Sequence, residues 1–333
     1  MKGGKSVMGV YIAKRTLFML VSLLFISIVS FILIELPPGD YATLYIRQLE
    51  MSGSATDQAM VEAIKMRYGT DLPMYQKYWT WVKNIVLHGD FGDSFQWNRP
   101  VIDVILERLP YSVLISLFGI FITYTLAIPL AIYSAVRQHS AGDHFIAFLS
   151  FLGMATPPFL LALILMYAQF KYLGIPAGGL FSQEYLDAAW SWDKFLDLLK
   201  HLVLPAVVLG VTGTGAIIRP LRATVLDELG KDYVETARLK GLPEYRLLLK
   251  YPVRIAVNPI LSTVGWLLPA IISGEAIIAI VLNIPTIGPL LIGALMSQDM
   301  YLAGTIVLIL SFLTLIGTLL SDLLLAWSDP RIR

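Results

Sequence analysis

Six apolar stretches of about 17 to 29 residues divide this chain, and stretches of that length have few places to fold other than a lipid bilayer. They run Thr16–Ile34, Tyr111–Val136, His144–Tyr172, Leu202–Ile218, Ile255–Leu282 and Tyr301–Trp327. At ~1.5 Å of rise per residue, each approaches or exceeds the ~30 Å of a hydrocarbon core. Composition agrees. Only 15% of residues are charged and 56% are hydrophobic, whereas soluble domains carry about 25% charge. The expected fold class is an all-α integral membrane protein with six transmembrane helices.

The first stretch follows a basic start (Lys2, Lys5, Lys14, Arg15), as a secretory signal would. It is too long for a signal core and ends in Leu36-Pro37-Pro38-Gly39-Asp40 without a small-residue cleavage site, so it reads as a spanning helix. Three regions follow. Residues 1–36 hold the basic segment and first helix, 37–110 a polar extension, and 111–333 a five-helix core. In the extension, Asp57 to Tyr68 is amphipathic, and Tyr75, Tyr78, Trp79 and Trp81 suit either a membrane interface or a small local core. Gly89-Asp90-Phe91-Gly92-Asp93-Ser94 is a turn cluster. A second external segment, Pro176 to Lys200, is expected to carry an amphipathic helix over Tyr185 to Leu199. With six spans and the N-terminus inside, 15 Lys and Arg residues fall on inner segments against 10 outside. Most of the outer ones lie in the long extension, where the positive-inside rule has little force. Both termini are therefore expected on the cytoplasmic face, with the extension outside.

Several function classes drop out. The chain has no cysteine, so disulfides, thiolate metal sites and thiol catalysis are excluded. His88, His139, His144 and His201 form no i,i+4 pair for a metal. There is no Walker A, HExxH or GxSxG pattern, and a net charge of +1 gives no sign of nucleic acid as a partner. No cofactor is expected on this chain. Prolines and glycines inside the spans (Pro129, Pro157, Pro158, Gly265, Pro269, Gly274) suit either helices that kink around a pathway or close helix packing. Two carboxylates interrupt apolar sequence, Glu275 in the fifth span and Asp322 near the inner end of the sixth. An ionised group at mid-bilayer costs ~2.5–3.5 kcal/mol on insertion scales, so Glu275 is expected to face protein or water and is the candidate pathway residue. The alternative is an outer-interface side chain that snorkels.

Between the fourth and fifth spans lies a charged island, about residues 232–251. It reads as a short helix, a glycine break and a second helix. Asp232 is expected as N-cap with Glu235 reaching back in a capping box, and Arg238 and Lys240 in the last turn. Gly241 is expected in the left-handed C′ conformation, with Pro243 opening the next helix. A polar helix pair on the cytoplasmic side of a chain with no nucleotide site implies a docking element for an energy-supplying partner.

At this island the sequence resembles the permease subunits of ATP-binding-cassette importers. Their coupling motif, Glu-Ala-Ala, three residues, then Gly, stands here as Glu235-Thr236-Ala237 and Gly241. The motif's later Ile-x-Leu-Pro is replaced by Tyr251-Pro252-Val253-Arg254, a departure common in the dipeptide/oligopeptide/nickel-type subfamily. Matches to that subfamily cover nearly the whole chain. They include Arg108-Leu109-Pro110, the turn at 89–94, Pro205 with Gly210, Arg219, Leu221-Arg222, Asp232-Tyr233-Val234, Ala237-Arg238-x-Lys240-Gly241-Leu242 and Asp329-Pro330-Arg331-Ile332-Arg333.

The resemblance implies a multi-pass subunit of a bacterial or archaeal cytoplasmic membrane. Its partners would be a second homologous permease, two ATP-binding-cassette subunits that bind the ATP, and an extracytoplasmic solute-binding protein, all within membrane lipid. Asp232, Glu235, Ala237, Arg238 and Gly241 would form the ATPase-coupling helix. One region departs: Ser273-Gly274 is followed at once by Glu275, Ala279 stands where the peptide importers carry Glu, and Ile284-Pro285-Thr286-Ile287-Gly288 replaces Pro-Gly-x-Gly. The expected cargo is a small peptide or similar solute. Oligosaccharides, glycosides, nickel chelates and glutathione are alternatives within the subfamily, and a stand-alone ion-coupled carrier or an assembly scaffold is the alternative outside it.

Overall fold

The computed structural model describes residues 3–36, 61–63, 66, 72–94, 96–174 and 178–328, with side chains at 3–8, 173, 261–273, 327 and 328 left aside. Most of the amphipathic stretch at 57–68 and the terminal 329–333 motif lie outside the described residues. The described chain is almost entirely helical. In order, it forms α1 (Gly3–Glu35), α2 (Met74–His88), a hairpin of β1 (Asp93–Ser94) and β2 (Arg99–Pro100), α3 (Val101–Leu106), α4 (Leu109–Val136), α5 (Ala141–Ala155) and α6 (Pro158–Ala168). There follow α7 (Trp192–Leu229), α8 (Asp232–Leu239), α9 (Glu244–Lys250), α10 (Pro252–Val281), α11 (Ile287–Met296) and α12 (Met300–Ser328).

Among the described residues, four helical segments are long and apolar enough to cross a membrane: Gly9–Glu35, Val101–Val136, Trp192–Leu229 and Met300–Ala326. The third expected span is not one helix. Ala141–Ala155 and Pro158–Tyr172 meet at an angle of 103°. Pro157 and Pro158 both lack an N–H, and a residue before proline is pushed out of the helical region. Thr156 accordingly sits extended at ψ 120°, and Pro158 opens the new helix. The amphipathic helix expected at Tyr185 to Leu199 does not stand alone either. A single 3₁₀ turn forms at Gln183–Tyr185, 186–191 is non-helical, and the part from Trp192 on merges with the fourth span into the 38-residue α7, capped by the Ser191 hydroxyl.

The chain divides into two compact units. One comprises Met1–Thr16, Tyr111–Pro285 and Ile316–Arg333. Its core runs along α7, where small residues let backbones approach. A Cβ on Gly215 would lie 2.6 Å from the Ser150 carbonyl of α5, and one on Gly210 would lie 2.4 Å from Ile122 of α4. Arg15, early in α1, meets Asp322, late in α12, at 3.1 Å.

The other unit comprises Leu17–Pro110 and Thr286–Leu315. There α2 packs on the end of α1 through Tyr78 and Trp81, whose rings each lie 5.6 Å from Phe31. Lys77 pairs with Glu35 at 3.2 Å. Trp81 is buried while Tyr75 and Trp79 are exposed, so one face of this aromatic stretch is a local core and the other is a free apolar surface. The hairpin pairs Asp93 with Pro100 and Ser94 with Arg99. Asp299 holds it to the start of α12: the carboxylate accepts from the Ser94 hydroxyl, from the Gln96 N–H at 3.2 Å and from the Leu302 N–H at 3.3 Å.

Candidate functional site

The island forms where α7 ends. Gly230 and Lys231 leave the helix, and α8 begins at Asp232. Here the structure corrects the capping expectation: Lys231 is the N-cap and no side chain caps the helix. Asp232 and Glu235 lie in the first turn instead, where carboxylates still favour the positive end of the helix dipole. The C-terminal end follows the expected pattern. Gly241 takes φ +75°, the Leu242 N–H bonds the Ala237 carbonyl at 3.3 Å, and the Gly241 N–H bonds the Arg238 carbonyl at 3.0 Å. These two bonds are a Schellman motif, and Leu242 supplies its hydrophobic contact against Val234, Ala237 and Leu247. Pro243 then caps α9.

Across the glycine break, Arg238 forks onto Glu244 at 2.8 and 3.3 Å. The guanidinium holds the Glu244 carboxyl below the usual glutamate range. The Tyr233 hydroxyl donates to Glu228 on the last turn of α7, and burial with that carboxylate pushes the phenol up to about 12. The pair is thus a preformed unit fastened to the end of α7. Of the residues singled out in the sequence, Asp232, Glu235, Arg238 and Gly241 are exposed. Ala237 is not; it lies in the pair's own small core. Exposed Leu239, Tyr245 and Leu249 add apolar surface that sequence reasoning did not single out.

Glu275 lies in α10 and is 1% exposed, taking a hydrogen bond from the buried Ser112 hydroxyl of α4 at 3.2 Å. It faces protein, as the cost of a lipid-exposed carboxylate demands, and does not snorkel.

Two further polar features were not anticipated. A cavity of about 440 Å³ opens beside the first turns of α7, lined among others by Ser182, Asp193, Asp197, Lys200 and His201. Asp197 is fixed there by the Ser182 N–H at 2.7 Å and hydroxyl at 2.8 Å. Near the other end of α7, Arg222 forks onto the buried Asp143 of α5, with Nε 3.0 Å from Oδ1 and Nη2 2.8 Å from Oδ2. Asp143 also accepts from the Ser134 hydroxyl and from the His139 N–H at 2.9 Å. The Ser140-x-x-Asp143 helix-start pattern was the available signal. Arg222 lies 79 positions away, and no local periodicity links the two. Among the described residues, no group of three or more His, Cys, Asp or Glu is placed to hold a metal ion.

Long apolar helices, a broken helix pair and a polar helical excursion define a multi-pass membrane protein. Comparison with known proteins gives the particular family. Residues 127–333 match the family described as "Binding-protein-dependent transport system inner membrane component", and residues 8–117 match its N-terminal counterpart. The chain belongs to that family of inner-membrane permease subunits of ATP-binding-cassette importers. It is 35% identical to the oligopeptide transport system permease protein AppB of Bacillus subtilis, over 98% of this chain and 99% of that one. It is 33% identical to a putative peptide permease protein of Brucella ovis, over 97% and 98%. It is also 28% identical to the probable D,D-dipeptide transport system permease protein DdpB of Escherichia coli, over 92% of each.

Proposed function

We propose that this chain pairs with a second, related permease to form the passage of an ATP-driven importer for a small peptide or similar solute. A binding protein delivers the solute outside, and two ATPase subunits act inside. The carrying observation is the α8–α9 pair: preformed, fastened to α7, presenting charged and apolar side chains, in a chain without a nucleotide motif. Closure of the ATPases on ATP moves this pair, and α7 carries the movement into the spans. Asp232, Glu235, Arg238 and Gly241 shape or present the docking surface, while Ala237 supports it from within.

The six-span topology rests on the four long helices, the broken α5–α6 pair and the 30-residue α10. The Arg15–Asp322 pair supports both termini lying on one face, which the charge distribution assigns to the cytoplasm. The names of the similar proteins favour a peptide as cargo. Glu275, bonded to α4, lines or borders the passage.

Reconstitution with the partner ATPases and binding protein tests this reading. Replacing Gly241 with valine is expected to leave ATP hydrolysis running while uptake is lost. Intact ATP-coupled uptake in that variant would sink the role given to the island. Ligand screening of the cognate binding protein decides between peptide and saccharide cargo.

A further inference from the structure

Between the island and the membrane helices, α7 contains a weak point. Pro220 lies within it, removing one intrahelical hydrogen bond and crowding the preceding turn. The tight contact of α7 with α5 at Gly215 and Ser150 lies beyond this proline, on the side away from the island. A push delivered at α8 therefore reaches Pro220 before that contact, and a helix bending there would absorb it. Arg222 sits on the island side of the proline, about seven residues or ~10 Å before α7 ends at Leu229.

We infer that the Arg222–Asp143 fork carries island movement across the Pro220 joint into α5, so that Asp143 is a positioning residue for transport coupling. This rests on the island moving with nucleotide, as proposed above. Three observations support it. The contact is bidentate and Asp143 is 4% exposed, so it is directional and shielded from competing water. The same carboxylate grips the α4–α5 turn through Ser134 and through His139, whose φ of +62° is costly for a side chain with a Cβ. A turn held in that conformation resists deformation. Finally, α5 ends at the 103° break, so it is clamped at one end and jointed at the other, as a lever requires.

The absence of cysteine makes the test clean. Spin labels on cysteines introduced at exposed Thr236 (α8) and Phe148 (α5), and in a second pair at Thr236 and Leu324 (α12), are read in the assembled transporter with cysteine-free partners. ATP with vanadate serves as the probe, so no cargo is needed. In the otherwise unsubstituted chain the 236–324 distance should change on trapping, while 236–148 stays within about 2 Å, the scale of a helix shift. In Asp143→Asn the 236–324 change should persist while 236–148 now changes too, because α5 lags. Asp143→Glu should restore much of the original behaviour.

A 236–324 distance that never responds to ATP overturns the proposed function, and this inference with it. A responding 236–324 distance with 236–148 still fixed in Asp143→Asn overturns the relay alone. Should Asp143→Asn fail to assemble, Arg222→Lys and Ser134→Ala carry the same measurement. If none of the three assembles, the fork is a folding element only and the relay is wrong.

Discussion

Two arginine–carboxylate forks, only sixteen positions apart at their arginines, do opposite kinds of work. Arg238 and Glu244 are each 52% exposed and bridge one glycine turn. The Arg222 and Asp143 side chains are 28% and 5% exposed and join helices distant in sequence. Water and salt compete with the first pair, so it can only bias a turn that the backbone already favours. Around the second, removing one partner strands a charge that water reaches poorly, so the geometry is enforced by the penalty of breaking it. Asp299 is a third case: buried as deeply as Asp143, yet bonded only to neutral donors in the contacts described above.

The largest expected effect breaks the buried fork. Arg222→Ala should destabilise the detergent-solubilised chain by about 3–5 kcal/mol, read as a lowered thermal midpoint, because Asp143 is left charged and buried. A loss below about 1 kcal/mol would place the two forks in one class. Next comes the backbone at the exposed pair. No heavy atom lies within 4 Å of a Cβ built on Gly241, so the left-handed φ alone sets the cost of Gly241→Val, about 1–2 kcal/mol. Local hydrogen exchange over α8 and α9 should reveal it, and Gly241→Asn should cost less because asparagine tolerates this conformation.

Asp299→Asn sharpens the contrast and should cost about 1–2 kcal/mol, because no charge is stranded but the amide NH2 must face either the Leu302 N–H or the Ser94 and Gln96 donors and leaves a buried donor unpaired. Burial pushes the Asp299 carboxyl up, against the Ser94, Gln96 and Leu302 bonds that pull it down. A raised folded value favours the protonated form. Its contribution is therefore complete below the ordinary aspartate value of about 3.9 and is lost as pH rises through the raised one. Exchange protection of the β1–β2 hairpin should fall over that window in the parent and stay flat in Asp299→Asn. The smallest effect is Glu244→Gln, with no measurable shift in thermal midpoint. Because Arg238 lowers the Glu244 carboxyl, its contribution is present above about 4.3 and disappears only as pH falls below that ordinary glutamate value.

Apolar length made most of the fold legible. The helices at Gly3–Glu35, Leu109–Val136 and Met300–Ser328 contain the first, second and sixth expected spans. Periodicity failed where the chain stays helical through a change of surroundings, as in α7, whose outer turns and apolar span share one rod. It also failed where two prolines in succession produce a 103° turn in place of a kink. The apolar α11, at ten residues, was too short to register as a span. At the island, the glycine that must turn left-handed was legible because only its backbone decides. Which residue stands at the N-cap of α8 was not, because Asp232 and Lys231 differ by one step along the same backbone path. The Arg222–Asp143 fork was out of reach for a different reason: tertiary packing, not local chemistry, brings its members together.

The break at Pro157 has a consequence for hydration. Two successive residues without an N–H deprive the carbonyls of Gly153 and Met154 of the donors a continuous helix would supply. Hydrocarbon offers bare carbonyls nothing, and leaving one there costs several kcal/mol. These two carbonyls must therefore find donors in water, in a polar side chain or in a neighbouring helix. Carbonyl isotope labels at Gly153 and Met154 should distinguish these by their infrared shift.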